Sequence, residues 1–237
     1  MKDVFRTALT MGTLVGATLG CAPVACGLAL RDEELPNPVI RLWARSILGA
    51  AGVQAVLRIP DTLPPHFVMA LNHQSNFDVL MLYAHVPAHL RFVAKAELFK
   101  IPIFGPSLRV LGHLKVDRRG TEQDRTVIRD AARAVRERVN IVFFAEGTRS
   151  PDGTLRPFKK GAASLAIDAQ VPILPAAVSG TGNILPKGQS FVHSGQRAAL
   201  VIGEPISTTG LTPGDIESLT QKTHTAVASL LVEAEAL

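Results

Sequence analysis

The 237-residue sequence has little cysteine: two residues, Cys21 and Cys26, both inside one apolar run. That excludes a disulfide framework or a cysteine-built metal cluster and leaves the pair as small hydrophobes. Charge is also scarce, at 19% Asp, Glu, Lys and Arg against the usual quarter, which suits a protein partly in contact with lipid. No period of roughly 20–50 residues recurs, so a repeat array is excluded. With 47% apolar residues, wholesale disorder is excluded too. The length suits one buried core, with or without an appendage. A net charge of +5 is compatible with anionic partners but does not choose among membranes, nucleic acids and phosphorylated metabolites.

The most conspicuous feature present is a stretch without any charge, residues 8–30 (ALTMGTLVGATLGCAPVACGLAL). As a helix it would extend about 35 Å, enough to cross a hydrocarbon core. Arg6 precedes it, and Arg31, Asp32, Glu33 and Glu34 stop it. Ala8, Gly12, Gly16 and Gly20 recur every fourth residue, a stripe along which another helix can approach closely. Pro23 is expected to kink or break the helix. A second apolar stretch, 38–57, places Ile40, Trp43, Ile47 and Leu48 on one helical face and Arg41 and Arg45 on another. That pattern predicts a helix lying at the membrane interface with Trp43 at headgroup depth. Residues 1–60 are therefore expected to form a two-helix membrane-anchoring element, either a kinked span or a re-entrant hairpin. A cleaved signal peptide is the rival reading, because Lys2 and Arg6 precede the apolar run.

From Asp61 onward apolar runs alternate with helical patterns. The runs are 67–71, 141–144 and 198–202. Between them, 122–139 sets Ile128, Ala131, Ala132, Val135 and Val139 on one helical face. Thr212-Pro213-Gly214-Asp215 reads as a capped start for a final helix with Ile216, Leu219, Val227, Leu230 and Leu231 on its buried stripe. The alternation predicts an α/β fold for 61–237, a layered αβα domain with a mixed, largely parallel sheet. Sites in such folds lie beyond the C-terminal ends of strands, which directs attention to the segments just after Leu71 and Phe144.

Leu71 is followed by Asn72-His73-Gln74-Ser75-Asn76-Phe77-Asp78. On one continuous helix His73 and Asp78 would stand about 140° apart, too far round to meet. They meet if His73 lies on the loop leaving the strand and Asp78 in the first turn of a helix capped by Ser75 or Asn76. Asp78 then sits near the positive end of the helix dipole and takes the proton of one imidazole nitrogen, leaving the other as a base. No serine or cysteine nucleophile stands alongside, so the hydroxyl to be deprotonated belongs to the substrate. A purely structural His–Asp pair would show the same spacing. After Phe144 comes Ala145-Glu146-Gly147-Thr148-Arg149-Ser150 and a polar loop reaching Lys160. Gly147 lets backbone approach a ligand, Thr148 offers a hydroxyl, and Arg149 offers a planar fork for phosphate oxygens. The plain alternative is a solvated charged turn. Further cations stand at Lys95 and within GHLKVDRR at 112–119.

Taken together these blocks resemble the 1-acyl-sn-glycerol-3-phosphate (lysophosphatidate) acyltransferase family from Pro60 onward. NHQSNFD at 72–78, GHLKVDR at 112–118, FAEGTRS at 144–150 and VPILPAAV at 171–178 occur in the family's order. The resemblance implies that His73 is the catalytic base and Asp78 its orienting partner. It implies that Glu146, Gly147, Thr148 and Arg149 hold the glycerol phosphate, with Arg118 and Lys95 facing the same group. Val171–Pro175 would border the acyl chain or donor, unless it is simply a buried strand. Ala145 departs from the proline usual before the Glu-Gly-Thr-Arg run, and Lys115 from a usually apolar residue.

The expected reaction moves a fatty acyl group from an acyl thioester to the sn-2 hydroxyl of lysophosphatidate, giving phosphatidate. The thioester of coenzyme A or acyl carrier protein is the co-substrate. No other cofactor, metal or nucleic acid is expected, and the remaining histidines show no ligand spacing, although His113 lies inside the second block. The expected place is the inner membrane with the catalytic domain facing the cytoplasm. Competing readings are the same chemistry on another lysolipid, a lipase or thioesterase using water, and a non-enzymatic anionic-lipid-binding module.

Overall fold

In the computed structural model, which describes residues 2–116 and 122–237, the apolar runs become the middle of a twisted sheet. Its strands are β1 (Gln54–Arg58), β2 (Val68–Leu71), β3 (Leu90–Lys95), β4 (Leu114–Val116), β5 (Asn140–Phe144), β6 (Ile173–Ser179) and β7 (Arg197–Ile202). Among the described residues they lie in the order β1-β7-β6-β2-β5-β3-β4. Every neighbouring pair is parallel except β6 with β7, so β1 and β7 run against the other five. The C-terminal ends of β2 through β6 therefore share one edge.

β2 is central and apolar at every position because both of its faces are covered. Met69 and Leu71 point to one core, with α2 (Asn37–Ala51) and α3 (Phe77–His85). Val68 and Ala70 point to the other, with α5 (Glu122–Glu137) and α6 (Gly161–Ala169). A long helix α8 (Ile216–Glu235) closes the second face over β6 and β7 through Val227 and Leu231. The result is the layered αβα arrangement, and burial of each large apolar side chain stabilises it by about 1.5–3 kcal/mol. The start of α8 is the expected capping box: the Asp215 carboxylate accepts from the Thr212 amide at 2.8 Å.

The N-terminal region corrects three expectations. Helix α1 (Lys2–Ala29) runs unbroken through Pro23, because packing along α2 holds the axis where one backbone hydrogen bond is lost. Its Val4–Ala29 stretch is long and apolar enough to cross a membrane, and Phe5, Val15, Leu19 and Val24 are more than half exposed. The apolar face of helix α2 is not turned to lipid. Its stripe of Ile40, Ala44, Ile47, Leu48 and Ala51 belongs to the protein interior, and Trp43 points inward, donating Nε1–H to Thr18 Oγ1 at 3.0 Å. Residues 1–60 are not a unit apart, since β1 at 54–58 pairs with β7 inside the sheet. The glycine stripe is open to approach: among the described residues a Cβ at Gly12, Gly16 or Gly20 would meet nothing within 4 Å, so α2 packs on another face of α1. Arg118 lies outside the described residues, as does the side chain of Ile128.

Candidate active site

β2 is ended by a clip to β6. The Asn72 side chain donates to the Val178 carbonyl and accepts from the Val178 amide, both at 2.8 Å. The chain then turns, and α3 starts at Phe77 with its amide donating to Ser75 Oγ at 3.3 Å. Asn76 occupies the cap position without a side-chain bond. Asp78 is in the first turn and fully buried. Its Oδ2 accepts from His73 Nδ1 at 2.7 Å, the Gln74 amide at 2.8 Å and the Ser75 amide at 3.0 Å, and its Oδ1 accepts from the Thr181 hydroxyl. With Nδ1–H given to the carboxylate, His73 Nε2 carries the lone pair. The imidazole lies flat on Phe144, with ring centres 3.9 Å apart and planes 15° apart, which fixes its orientation further.

The loop after β5 is sewn to this turn. The Ser150 amide donates to the His73 carbonyl at 2.7 Å. The Ala145 amide, which a proline would lack, donates to the Leu71 carbonyl at 2.9 Å. Glu146 is buried, and its two oxygens accept from the His73 amide at 2.7 Å and the Arg156 amide at 3.3 Å. It ties loops together and does not face open space. Burial pushes its carboxyl up to about 7, against the pull of those two amides and of Arg156. Between about pH 4.5 and 7 the folded chain thus holds a proton that the unfolded chain has released, so stability falls as pH rises through that window. Glu146→Gln removes this titration and turns one amide N–H toward an NH₂ group. In urea unfolding, the advantage of wild type over the variant should shrink by on the order of 3 kcal/mol from pH 4.5 to 8. A constant difference across that range counts against the assignment.

Gly147 has φ of +73°, a left-handed turn that favours glycine, and the Lys159 side chain lies over it. Thr148 and Arg149 come next, half-buried. Lys187, which no pattern in the sequence singled out, donates Nζ–H to the Arg149 carbonyl at 2.8 Å and reaches Thr148 Oγ1 at 3.5 Å. Thr181, on the short helix α7 (Thr181–Ile184) after β6, was likewise missed. It lies 103 positions from the carboxylate it touches, with no local signal. The structure brings His73, Asp78 and the 146–149 loop together. Lys95 is exposed at the end of β3, on the same edge of the sheet, and its ammonium pairs with Glu97 at 3.3 Å. The amides of His73, Gln74 and Ser75 are not free to donate to an oxyanion, because all three are engaged by Glu146 and Asp78. Val171–Pro175 lies in and beside β6, in the middle of the sheet, and takes no part in the cavity wall.

His113 is buried beside this region but does different work. Its Nδ1 accepts from the Phe92 amide at 3.0 Å, and burial, reinforced by Arg91 and His89, pushes its pKa down to about 3. It is therefore neutral, with its proton on Nε2 donated to the Tyr83 hydroxyl at 3.1 Å. That fixes the start of β3 against α3.

From the His73–Phe144 stack an apolar cavity of about 170 Å³ leads away between α3, β3 and the N-terminal helices. Val79, Phe92, Leu108, Trp43 and Cys21 are among the side chains that line it. Helix α1 and the His73 imidazole thus border the same cavity.

Comparison with known proteins agrees with this geometry. Residues 55–179 match the family model described as Acyltransferase. The chain is 30% identical over 236 residues to human 1-acyl-sn-glycerol-3-phosphate acyltransferase alpha, covering 98% of this chain and 82% of that protein. It is 35% identical over 210 residues to the human beta protein, covering 87% and 75%. The crystal structure of the 1-acyl-sn-glycerophosphate (LPA) acyltransferase PlsC from Thermotoga maritima superimposes with a TM-score of 0.77 at 26% identity, covering 97% of this chain and 98% of that one.

Proposed function

Since the chain belongs to the 1-acyl-sn-glycerol-3-phosphate acyltransferase family, we propose that it acylates the sn-2 hydroxyl of 1-acyl-sn-glycerol 3-phosphate to give phosphatidate. It is an O-acyltransferase, and its donor is a fatty-acyl thioester of coenzyme A or acyl carrier protein. The observation that carries the reading is the 2.7 Å Nδ1–Oδ2 bond of His73 and Asp78 at the mouth of an apolar cavity.

His73 Nε2 takes the proton of the acceptor hydroxyl as its oxygen attacks the thioester carbonyl carbon. The imidazolium so formed faces the Asp78 carboxylate. When the tetrahedral adduct collapses, the C–S bond breaks and the proton passes from Nε2 to the departing thiolate. Both reactants are held, so much of the acceleration comes from converting an encounter of two molecules into a reaction within one complex. The cavity suits an acyl chain, being lined mostly by apolar side chains, those of α1 among them. The phosphate is met by Arg149 and its neighbours on the 146–149 loop, kept in place by Lys187 and Glu146. Helix α1 holds this mouth at a membrane, where lysolipid and product reside, and the inner membrane with the domain in the cytoplasm fits a cytoplasmic donor.

A panel of lysolipid acceptors with labelled acyl thioester tests the proposal. Lysophosphatidate is expected to be preferred, and preference for another lysolipid overturns the assignment of the acceptor. In the same assay Arg149→Ala should raise KM for lysophosphatidate by about ten- to a hundredfold with kcat little changed, the loss of one charge-assisted contact. An unchanged KM removes Arg149 from the phosphate site.

A further inference from the structure

The wall of the cavity that faces α1 is segment 98–110, which contains the end of a 3₁₀ turn at Ala96–Lys100 and helix α4 (Phe104–Val110). The segment has two faces. Inward, Phe104 and Leu108 border the cavity and Phe99 packs on Ala94. Outward, Ile101, Ile103 and Val110 are each more than two-fifths exposed. They are not an isolated patch. α4 lies against α1, whose Val15 and Leu19 are also exposed, and Leu111 at its end packs on Ala25 of α1.

We propose that segment 98–110 is a second membrane-contacting element, an apolar wedge that enters the acyl boundary of an anionic leaflet beside α1 and forms the lipid-side rim of the cavity. This rests on the acyltransferase reading for the identity of the lipid substrates. Three observations carry it. The first is conformational. Ile103 has φ of +65° and ψ of −56°, in a tight turn closed by the Phe104 amide on the Pro102 carbonyl at 2.7 Å. A β-branched residue adopts this region only under strain, and here the outcome is an isoleucine held outward at the tip of the turn. The turn is rigid, because Gly105 sits so close under Phe99 that a Cβ would lie 2.3 Å from its carbonyl oxygen.

The second is the fate of the carbonyls. Those of Leu98, Ile101, Pro102 and Ile103 accept from the Ile101, Gly105, Phe104 and Ser107 amides, and that of Phe99 from Arg109 Nη2 at 2.9 Å. Carbonyls paired in this way lower the cost of placing non-helical backbone at the edge of hydrocarbon, where water is scarce. The third is charge. Lys100 and Arg109 are exposed and flank the apolar tip in sequence, Lys100 on a long side chain that can reach anionic headgroups and Arg109 held at the segment by its bond to Phe99.

The test places a single cysteine in the full chain with Cys21→Ala and Cys26→Ala, labels it with an environment-sensitive fluorophore, and binds the protein to vesicles of phosphatidylcholine with phosphatidylglycerol. Labels at Ile103→Cys and Val110→Cys should be quenched several-fold more strongly by doxyl-acyl lipid than by aqueous iodide, as for Leu19→Cys on α1. A label at Ser229→Cys on the exposed side of α8 should behave the opposite way. If positions 103 and 110 behave like 229 while 19 reports lipid, the wedge is wrong and the acyl-transfer chemistry is untouched by that result. In unlabelled protein, Ile103→Asp should raise KM roughly tenfold for an acceptor presented in vesicles and leave it unchanged for a short-chain acceptor dispersed in water. Equal effects on the two acceptors, or none, also overturn the proposal.

Discussion

Replacing His73 by alanine is expected to lower kcat by about 10² to 10⁴, the usual worth of a positioned general base. The fold should survive, because three of the four donors to Asp78 remain: the Gln74 and Ser75 amides and the Thr181 hydroxyl. The truncated ring borders an existing cavity, so the change enlarges space already there. Labelled acyl thioester with saturating lysophosphatidate gives the rate, and thermal unfolding gives the stability. A non-enzymatic lipid-binding module predicts unchanged vesicle binding and no turnover in either protein. A hydrolase predicts free fatty acid as the main product of wild type even when acceptor saturates. Turnover in His73→Ala within tenfold of wild type would sink the role of the imidazole.

Legibility in the sequence depended on how each feature is encoded. The central strands were readable because burial on both faces demands unbroken apolar runs, and β2, β5 and β7 fall within a residue of those runs. The His–Asp pair was readable because the whole device occupies seven consecutive residues, with a strand end and a helix start between them. Helix α2 misled for a physical reason. An apolar stripe with cations opposite is the same pattern whether it meets lipid or a sheet, and only the fold shows that Ile47 and Leu48 meet Met69 and Leu71. Pro23 misled because its local cost is small beside the packing of a 28-residue helix on its neighbour. Glu146 was read as a phosphate contact, yet its oxygens are occupied by backbone amides that no sequence pattern names. Thr181 and Lys187 are delivered by chain reversals after β6, and their partners lie 103 and 38 residues away.

Asp78→Asn separates the charge of the carboxylate from its geometry. Three donors converge on Oδ2 and one hydroxyl on Oδ1, so the amide has one favourable orientation. Its oxygen takes the place of Oδ2 and keeps the bonds from His73 Nδ1 and the two amides. Its NH₂ faces Thr181, whose hydroxyl turns from donor to acceptor. The opposite orientation sets NH₂ against three N–H groups and is excluded by their repulsion. His73 therefore keeps its tautomer and position, and the variant should fold with a melting temperature close to wild type. The negative charge that steadies the imidazolium is gone, and a hydrogen bond to a charged group is worth about 1.5–3 kcal/mol. The expected loss in kcat is about ten- to a hundredfold, smaller than for His73→Ala, with KM for lysophosphatidate little changed because Asp78 is fully buried and its oxygens are taken up by His73, two backbone amides and Thr181. Thr181→Val provides the control: the hydroxyl it removes meets a charged carboxylate in wild type and a neutral amide in Asp78→Asn, so the two changes together should cost less stability than their separate effects added. A rate for Asp78→Asn within twofold of wild type means that the carboxylate only positions the ring, and its charge takes no part in the proton transfer.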